Sequence, residues 1–200
     1  MAPPVLIGEW CNALALIKPY EIWLGSSDAS DLDNCICIQY LCCQSQQSGQ
    51  AMRILFLEFD GVLHPASATA RVSPYGSLKT SVQRAWLFRW AWILDDMLVR
   101  HPDVGIIVHS HWKGLAAQQQ LQSMLGPVGR RMVGVTPGEE RWQGIAATAE
   151  INHLRNYRIL DSRVSAYPPR LAELIGCDPE AGLREFSVLR QLQLWLKVPQ

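Results

Sequence analysis

The chain has no excess of charge: 18 basic residues balance 18 acidic ones over 200 residues. That removes the bulk attraction that draws basic proteins to nucleic acid or to an anionic membrane. Nucleic acid is therefore expected only as a substrate. Long apolar runs are also missing, none approaching the roughly 18 residues of a bilayer-spanning helix. The opening 1–18 is mildly apolar but lacks a basic start and a clear cleavage site, so it does not read as a signal peptide. Cysteine is scarce where a disulfide framework would need it. Cys11, Cys35, Cys37, Cys42 and Cys43 precede Met52, and Cys177 alone follows it. A stapled fold would spread its cysteines over the elements they join. The main body is expected to be cytoplasmic, in a reducing compartment, with no membrane partner.

What is present divides into two parts. Residues 1–51 hold one basic residue, Lys18, against Glu9, Glu21, Asp28, Asp31 and Asp33. Their apolar stretches keep no period of 2 or 3.6. They end in Gln44-Ser45-Gln46-Gln47-Ser48-Gly49-Gln50, a polar, linker-like run. Two readings stand for this segment. It is an extension upstream of a natural start at Met52, through a misassigned start site, or it is a small accessory piece. A zinc clip of Cys35-x-Cys37 with Cys42-Cys43 departs from the usual spacing of structural zinc pairs.

From Met52 to the C-terminus, apolar runs alternate with helical patterns. Strands are expected at 53–57, 104–108, 131–135, 157–160 and 174–176. Helices are expected at 79–100, 112–125, 140–154 and 183–196. This alternation predicts a Rossmann-like α/β fold with a mainly parallel sheet between two helical layers. Right-handed crossovers put every strand's C-terminal end on one edge, where ligands of such sheets bind.

Chemistry-bearing residues gather at those strand ends. Glu58 and Asp60 follow the first strand, two residues apart, so both carboxylates can face one point. Converging carboxylates favour a hard, oxygen-seeking cation such as Mg²⁺. Gly61 permits the sharp turn that follows. His109-Ser110-His111 closes the second strand, where a hydroxyl and free N–H groups can cradle phosphate. Ser110 reads equally well as a helix N-cap. Arg141 opens the third helix, either as a counter-charge for phosphate or as a solvated surface residue. Asp161 ends the fourth strand and brings a third carboxylate to the same edge. Trp86, Trp90 and Trp92 invite a stacking role, but the helical spacing of Trp86 and Trp90 is that of core residues.

With these motifs the chain resembles the haloacid dehalogenase-like (HAD) superfamily. The matching stretches are I-L-F-L-E-F-D-G-V-L-H-P at 54–65, I-I-V-H-S-H-W-K at 106–113, Arg141–Ile145, and I-L-D-S at 159–162. The tail Cys177-Asp178-Pro179-Glu180-Ala181-Gly182-Leu183 is similar to that of a small bacterial subgroup. That subgroup is related to a domain of multi-enzyme RNA repair proteins. The resemblance implies a Mg²⁺-dependent phosphohydrolase acting on a phosphomonoester. Glu58 would be the nucleophile, Asp60 the acid/base, and Arg141 the charge partner of the phosphate. Ser110 and His109 would bind phosphate, and Glu58, Asp60 and Asp161 would serve the metal, Asp60 through its backbone carbonyl. The sequence departs from the pattern in three places, one of them the pair of histidines, His109 and His111, that flanks Ser110. Glu58 stands where Asp is usual, and Ser162 where a second acid often follows Asp161. The Glu58 change keeps a second reading open, a catalytically impaired phosphate-binding or interaction module. The short stretch between the first two motifs leaves no room for a large cap, so an open site is expected.

Overall fold

The computed structural model describes residues 52–72 and 77–198. The readings made for residues 1–51 lie outside the described residues. Five strands form one all-parallel sheet in the order β3-β2-β1-β4-β5. They are β1 Arg53–Leu57, β2 Val104–Val108, β3 Met132–Val135, β4 Tyr157–Asp161 and β5 Leu174–Gly176. Five α-helices surround them: α1 Leu78–Arg84, α2 Ala91–Leu98, α3 Gln118–Leu125, α4 Arg141–Ile151 and α5 Phe186–Lys197. This is the expected three-layer Rossmann-like arrangement. No described helix is long and apolar enough to cross a membrane.

β1 and β2 are buried at every position, which explains their unbroken apolar runs. Successive side chains still part to opposite faces. Leu55, Leu57, Ile106, Val108 and Leu160 enter the larger core, beneath helices that include α2 and α5. Ile54, Phe56, Ile107 and Ile159 enter a smaller one, closed by Ile145 of α4 and by Tyr167.

The register places the site. Leu57 pairs with Val108 on one side and with Leu160 on the other. Positions 58, 109 and 161 therefore leave the sheet side by side. The ladder runs one residue further: the Glu58 N–H donates to Leu160 O at 3.0 Å and the His109 N–H to Leu57 O at 3.2 Å.

Two expected helices are broken, and in both cases a tertiary contact overrides the local pattern. The stretch 79–100 forms α1 and α2 with a turn between them. Trp86 and Phe88 adopt φ of +54° and +57° there, a left-handed conformation that bulky residues rarely take. The turn lets the Trp90 N–H donate to Leu63 O at 3.0 Å and the Phe88 N–H to His64 Nδ1 at 3.4 Å. Trp90 is buried as expected, but Trp86 is turned out to solvent, 68 % exposed, which corrects its reading as core. The stretch 112–125 begins instead as a 3-10 turn, His111–Gly114, and α3 starts only at Gln118. The turn buries Trp112 and brings its indole N–H to Asp60 at 3.0 Å.

At the opposite edge of the sheet, buried Arg53 donates to Asp103 through Nε at 2.5 Å and Nη2 at 3.1 Å. Its Nη1 reaches the carbonyls of Trp195 and Leu196 at the end of α5, 3.3 and 3.0 Å away. Asp103 keeps part of its surface in water, so removing Arg53 costs less than breaking a fully buried pair, about 1–3 kcal/mol for the groups left unsatisfied. Arg53→Met is expected to lose stability of that order, read as a fall in the urea midpoint at an unchanged slope.

Candidate active site

Glu58, Ser110 and Asp161 are essentially fully buried, and His109 and Asp60 nearly so. Polar groups this deep must find partners, and here they find one another. The Glu58 Oε1 accepts from the Phe59 N–H at 2.9 Å, from the Asp60 N–H at 3.3 Å, and from the Ser110 hydroxyl. Arg141 donates to Glu58 Oε2 and, at 2.8 Å, to Asp161 Oδ2. Two turn amides, a hydroxyl and a guanidinium converge in this way on a single anionic group. Such a set of donors is a cradle for an oxyanion. In this structure the Glu58 carboxylate itself fills it.

Asp161 is held from several sides. Tyr167 Oη donates to its Oδ2 at 2.6 Å, His109 Nε2 lies 3.1 Å from the same oxygen, and the Arg163 N–H donates to Oδ1 at 2.8 Å. Burial alone would raise the Asp161 carboxyl. The His109 and Tyr167 contacts and the Arg141 charge outweigh it and hold the group well below the usual carboxylate range. Burial dominates for His109, keeping its imidazole neutral against the pull of Asp161. Burial and the Asp161 charge push the Tyr167 phenol up, so it remains a proton donor. His109 Nδ1 has no partner among the described residues.

Asp60 is built asymmetrically. Its Oδ1 lies 2.9 Å from His64 Nε2 and accepts from Thr69 Oγ1 at 2.9 Å and from Trp112 Nε1 at 3.0 Å. The Phe88 N–H donates to His64 Nδ1, so Nε2 carries the proton that Asp60 accepts. Burial would raise the Asp60 carboxyl, but these bonds, led by His64, pull it below its ordinary value. Its Oδ2 is left toward His111 Nδ1, 3.4 Å away on a half-exposed ring. The turn itself depends on Gly61, at φ +73°, where a Cβ would meet Ser162 Oγ at 2.5 Å. Ser162 donates to the Asp60 backbone carbonyl at 3.0 Å.

The structure thus brings the six residues singled out from sequence to one sheet edge. Among the carboxylates and histidines there, now including His111, ligand atoms fall into two groups, each within 4.8 Å: Glu58 with His109 and Asp161, and Glu58 with Asp60 and His111. Glu58 belongs to both; the Asp60 and Asp161 side chains do not share a group. Tyr167, His64, Thr69 and Trp112 were not visible as site residues in the sequence. For His64 alone there was a cue, its place four residues beyond Asp60 in the same turn.

Residues 54–188 match the family model described as the HAD domain in Swiss Army Knife RNA repair proteins. The chain belongs to this family. No curated protein and no solved structure matches it. Membership of this HAD family, together with the acidic cluster, supports a HAD-type hydrolase at the coarse level.

The charges of this HAD site set an expected acid response. Asp60 and Asp161 titrate lower in the folded chain than their ordinary 3.8, so their contribution is complete above that pH. It is lost as pH falls through the lower folded values. The His109 imidazole is also depressed, from 6.5, so its contribution is complete above 6.5 and declines below it. Urea midpoints followed downward from neutral pH should fall in two stages, and His109→Asn should remove the first.

Proposed function

We propose that the chain is a Mg²⁺-dependent phosphohydrolase acting on a phosphomonoester. The observation that carries this reading is the set of oxyanion donors, from Phe59, Asp60, Ser110 and Arg141, beside two buried carboxylates. Because the family is described from RNA repair proteins, a phosphorylated RNA end is one substrate class it could take.

The residues fit a divalent cation. Glu58 and Asp161 are buried carboxylates close together, bridged by one guanidinium, which is a poor environment for two anions without further positive charge. Glu58, Asp161 and the Asp60 backbone carbonyl are the oxygens that would hold Mg²⁺, with Ser162 fixing that carbonyl. Bound there, the ion would neutralise charge on the phosphoryl oxygens.

The chain's own groups then have distinct tasks. The amides of Phe59 and Asp60, the Ser110 hydroxyl and Arg141 receive the phosphate oxygens, after Glu58 withdraws from them. Glu58 attacks phosphorus and forms an acyl-phosphate. Asp60 Oδ2, ionised in the free site, takes the proton carried by the incoming monoester monoanion, passes it to the leaving oxygen, and later takes one from the water that splits the intermediate. Its Oδ1, occupied by His64, Thr69 and Trp112, cannot share that work.

A second reading is favoured by one observation: the Glu58 carboxylate occupies the cradle that the substrate needs. In that reading the fold binds phosphate or a partner without turnover. Hydrolysis of an aryl phosphate, with Mg²⁺ and with a chelator, separates the two. The hydrolase requires metal-dependent release of phosphate. It also requires Mg²⁺ to stabilise the fold, by about 2.7 kcal/mol at a hundred times its Kd. Asp161→Asn is expected to abolish that stabilisation. A thermal midpoint indifferent to Mg²⁺ would remove the metal from the mechanism.

A further inference from the structure

A second surface of the molecule has no part in the carboxylate chemistry. Between the turn 85–90, α2, the segment before α5 and the first turn of α5 lies an open groove of about 640 Å³. Three indoles line it. Trp90 is buried beneath, while Trp86 and Trp92 are each 68 % exposed. The only charged side chains among its described lining residues are Arg89 and Arg184, so the groove is purely cationic on a chain whose net charge is zero.

Among the described residues the two arginines have no counter-ion. The Arg89 guanidinium stacks 5.1 Å from the ring centres of both Trp86 and Trp90. That of Arg184 lies 6.0 Å over Trp90. Neither has a carboxylate within salt-bridge distance among the described residues, and the buried Arg89 Nε has no hydrogen-bond partner. An arginine held between indoles keeps its orientation but not its neutrality. Trp86, whose ring lies beside Arg89, has a left-handed φ of +54°. Strain of this kind persists where the surroundings enforce it and is concentrated at functional positions.

The groove's floor is tightly packed. A Cβ on Gly182 would stand 2.7 Å from the Trp90 ring and 2.6 Å from Val62 O, so this floor packs directly on the back of the loop that carries Asp60. No residue of the groove belongs to the carboxylate site.

We propose that this groove binds single-stranded nucleic acid, bases stacking on Trp86 and Trp92 and backbone phosphates pairing with Arg89 and Arg184. Flat exposed π-faces interleaved with unneutralised guanidinium groups match a ligand that alternates aromatic rings and negative charges. An acidic peptide would satisfy the two charges and leave the indole faces unused. A second copy of the chain carries no net negative charge, its acidic residues 1–51 being balanced by a basic remainder. The proposal goes beyond the hydrolase reading, and its test uses no turnover.

The test is fluorescence anisotropy of a labelled, unstructured oligothymidylate titrated with the full chain. Saturable binding is expected at about 50 mM salt, weakening toward 200 mM; two phosphates neutralised on a single strand give a log–log slope near −1.4. The double variant Trp86→Ala/Trp92→Ala is expected to lose at least tenfold in affinity. Arg89→Gln/Arg184→Gln is expected to lose a similar factor and to flatten the salt slope toward zero. Trp86 and Trp92 are largely exposed, so an unchanged thermal midpoint serves as the folding control. Aryl-phosphate hydrolysis by the same variants is expected to match the parent, which keeps a failure here distinct from a failure of the hydrolase reading. Three results would overturn the proposal: no saturable binding at the lower salt, binding unchanged in both double variants, or equal binding of a polyglutamate peptide. Sedimentation showing a dimer that Trp92→Ala dissociates would assign the groove to a second copy instead.

Discussion

Asp60→Asn is expected to lower hydrolysis of an aryl phosphate by about two to four orders of magnitude, the usual worth of a positioned acid/base. The substitution leaves the carboxamide oxygen able to accept at the Oδ1 position, where His64, Thr69 and Trp112 converge. The side chain should therefore stay in place while Oδ2, the atom that moves the proton, is replaced by a group that cannot. Comparing kcat with KM separates this from a binding defect, since substrate phosphate is held by other groups. A fall in kcat at nearly constant KM is the expected pattern. His64→Gln is the accompanying control, because it acts through Asp60 and not on the substrate. It should lower kcat less than Asp60→Asn does. Parent-level activity in Asp60→Asn would end the acid/base assignment.

The reach of the sequence differed from element to element, for physical reasons. The runs 53–57 and 104–108 are central strands covered on both faces, so their burial is written directly as unbroken hydrophobicity. Glu58, Ser110, Arg141 and Asp161 were legible because strand ends in a parallel sheet must share an edge. Hydrogen-bond partners were not legible. Tyr167 reaches Asp161 from a loop after a 3-10 turn, and Trp112 reaches Asp60 from the 3-10 turn that follows β2. Neither spacing carries a periodic signal. The broken helix at 85–90 shows the same limit. Its apolar pattern fits a helix, but the contacts of Phe88 with His64 and of Trp90 with Leu63 prevail over the local preference. Trp86 is consequently exposed where the helical pattern puts it in the core, and the groove it lines depends on that turn.

Glu58→Asp is expected to raise hydrolysis, by on the order of a hundredfold, the scale attached to a misplacement of about 1 Å in a reacting group. The extra methylene of glutamate carries its oxygens about 1.5 Å further from the strand. Here that reach lets the carboxylate fold onto the amides of Phe59 and Asp60 and onto the Ser110 hydroxyl. Before any phosphate binds, these bonds and the Arg141 contact must be given up, and each bond to a charged group stabilises by about 1.5–3 kcal/mol. An aspartate at the same position is too short to fill the cradle and remains at the strand end, facing phosphorus. Inorganic phosphate offers a readout independent of turnover: its inhibition constant should fall in Glu58→Asp, because the donors are free to receive it. Tighter phosphate with no gain in rate would mean that Glu58 blocks the cradle without being the attacking group. Neither tighter phosphate nor faster turnover would mean that the cradle already opens freely in the natural chain, and the glutamate would then be no obstacle to attack.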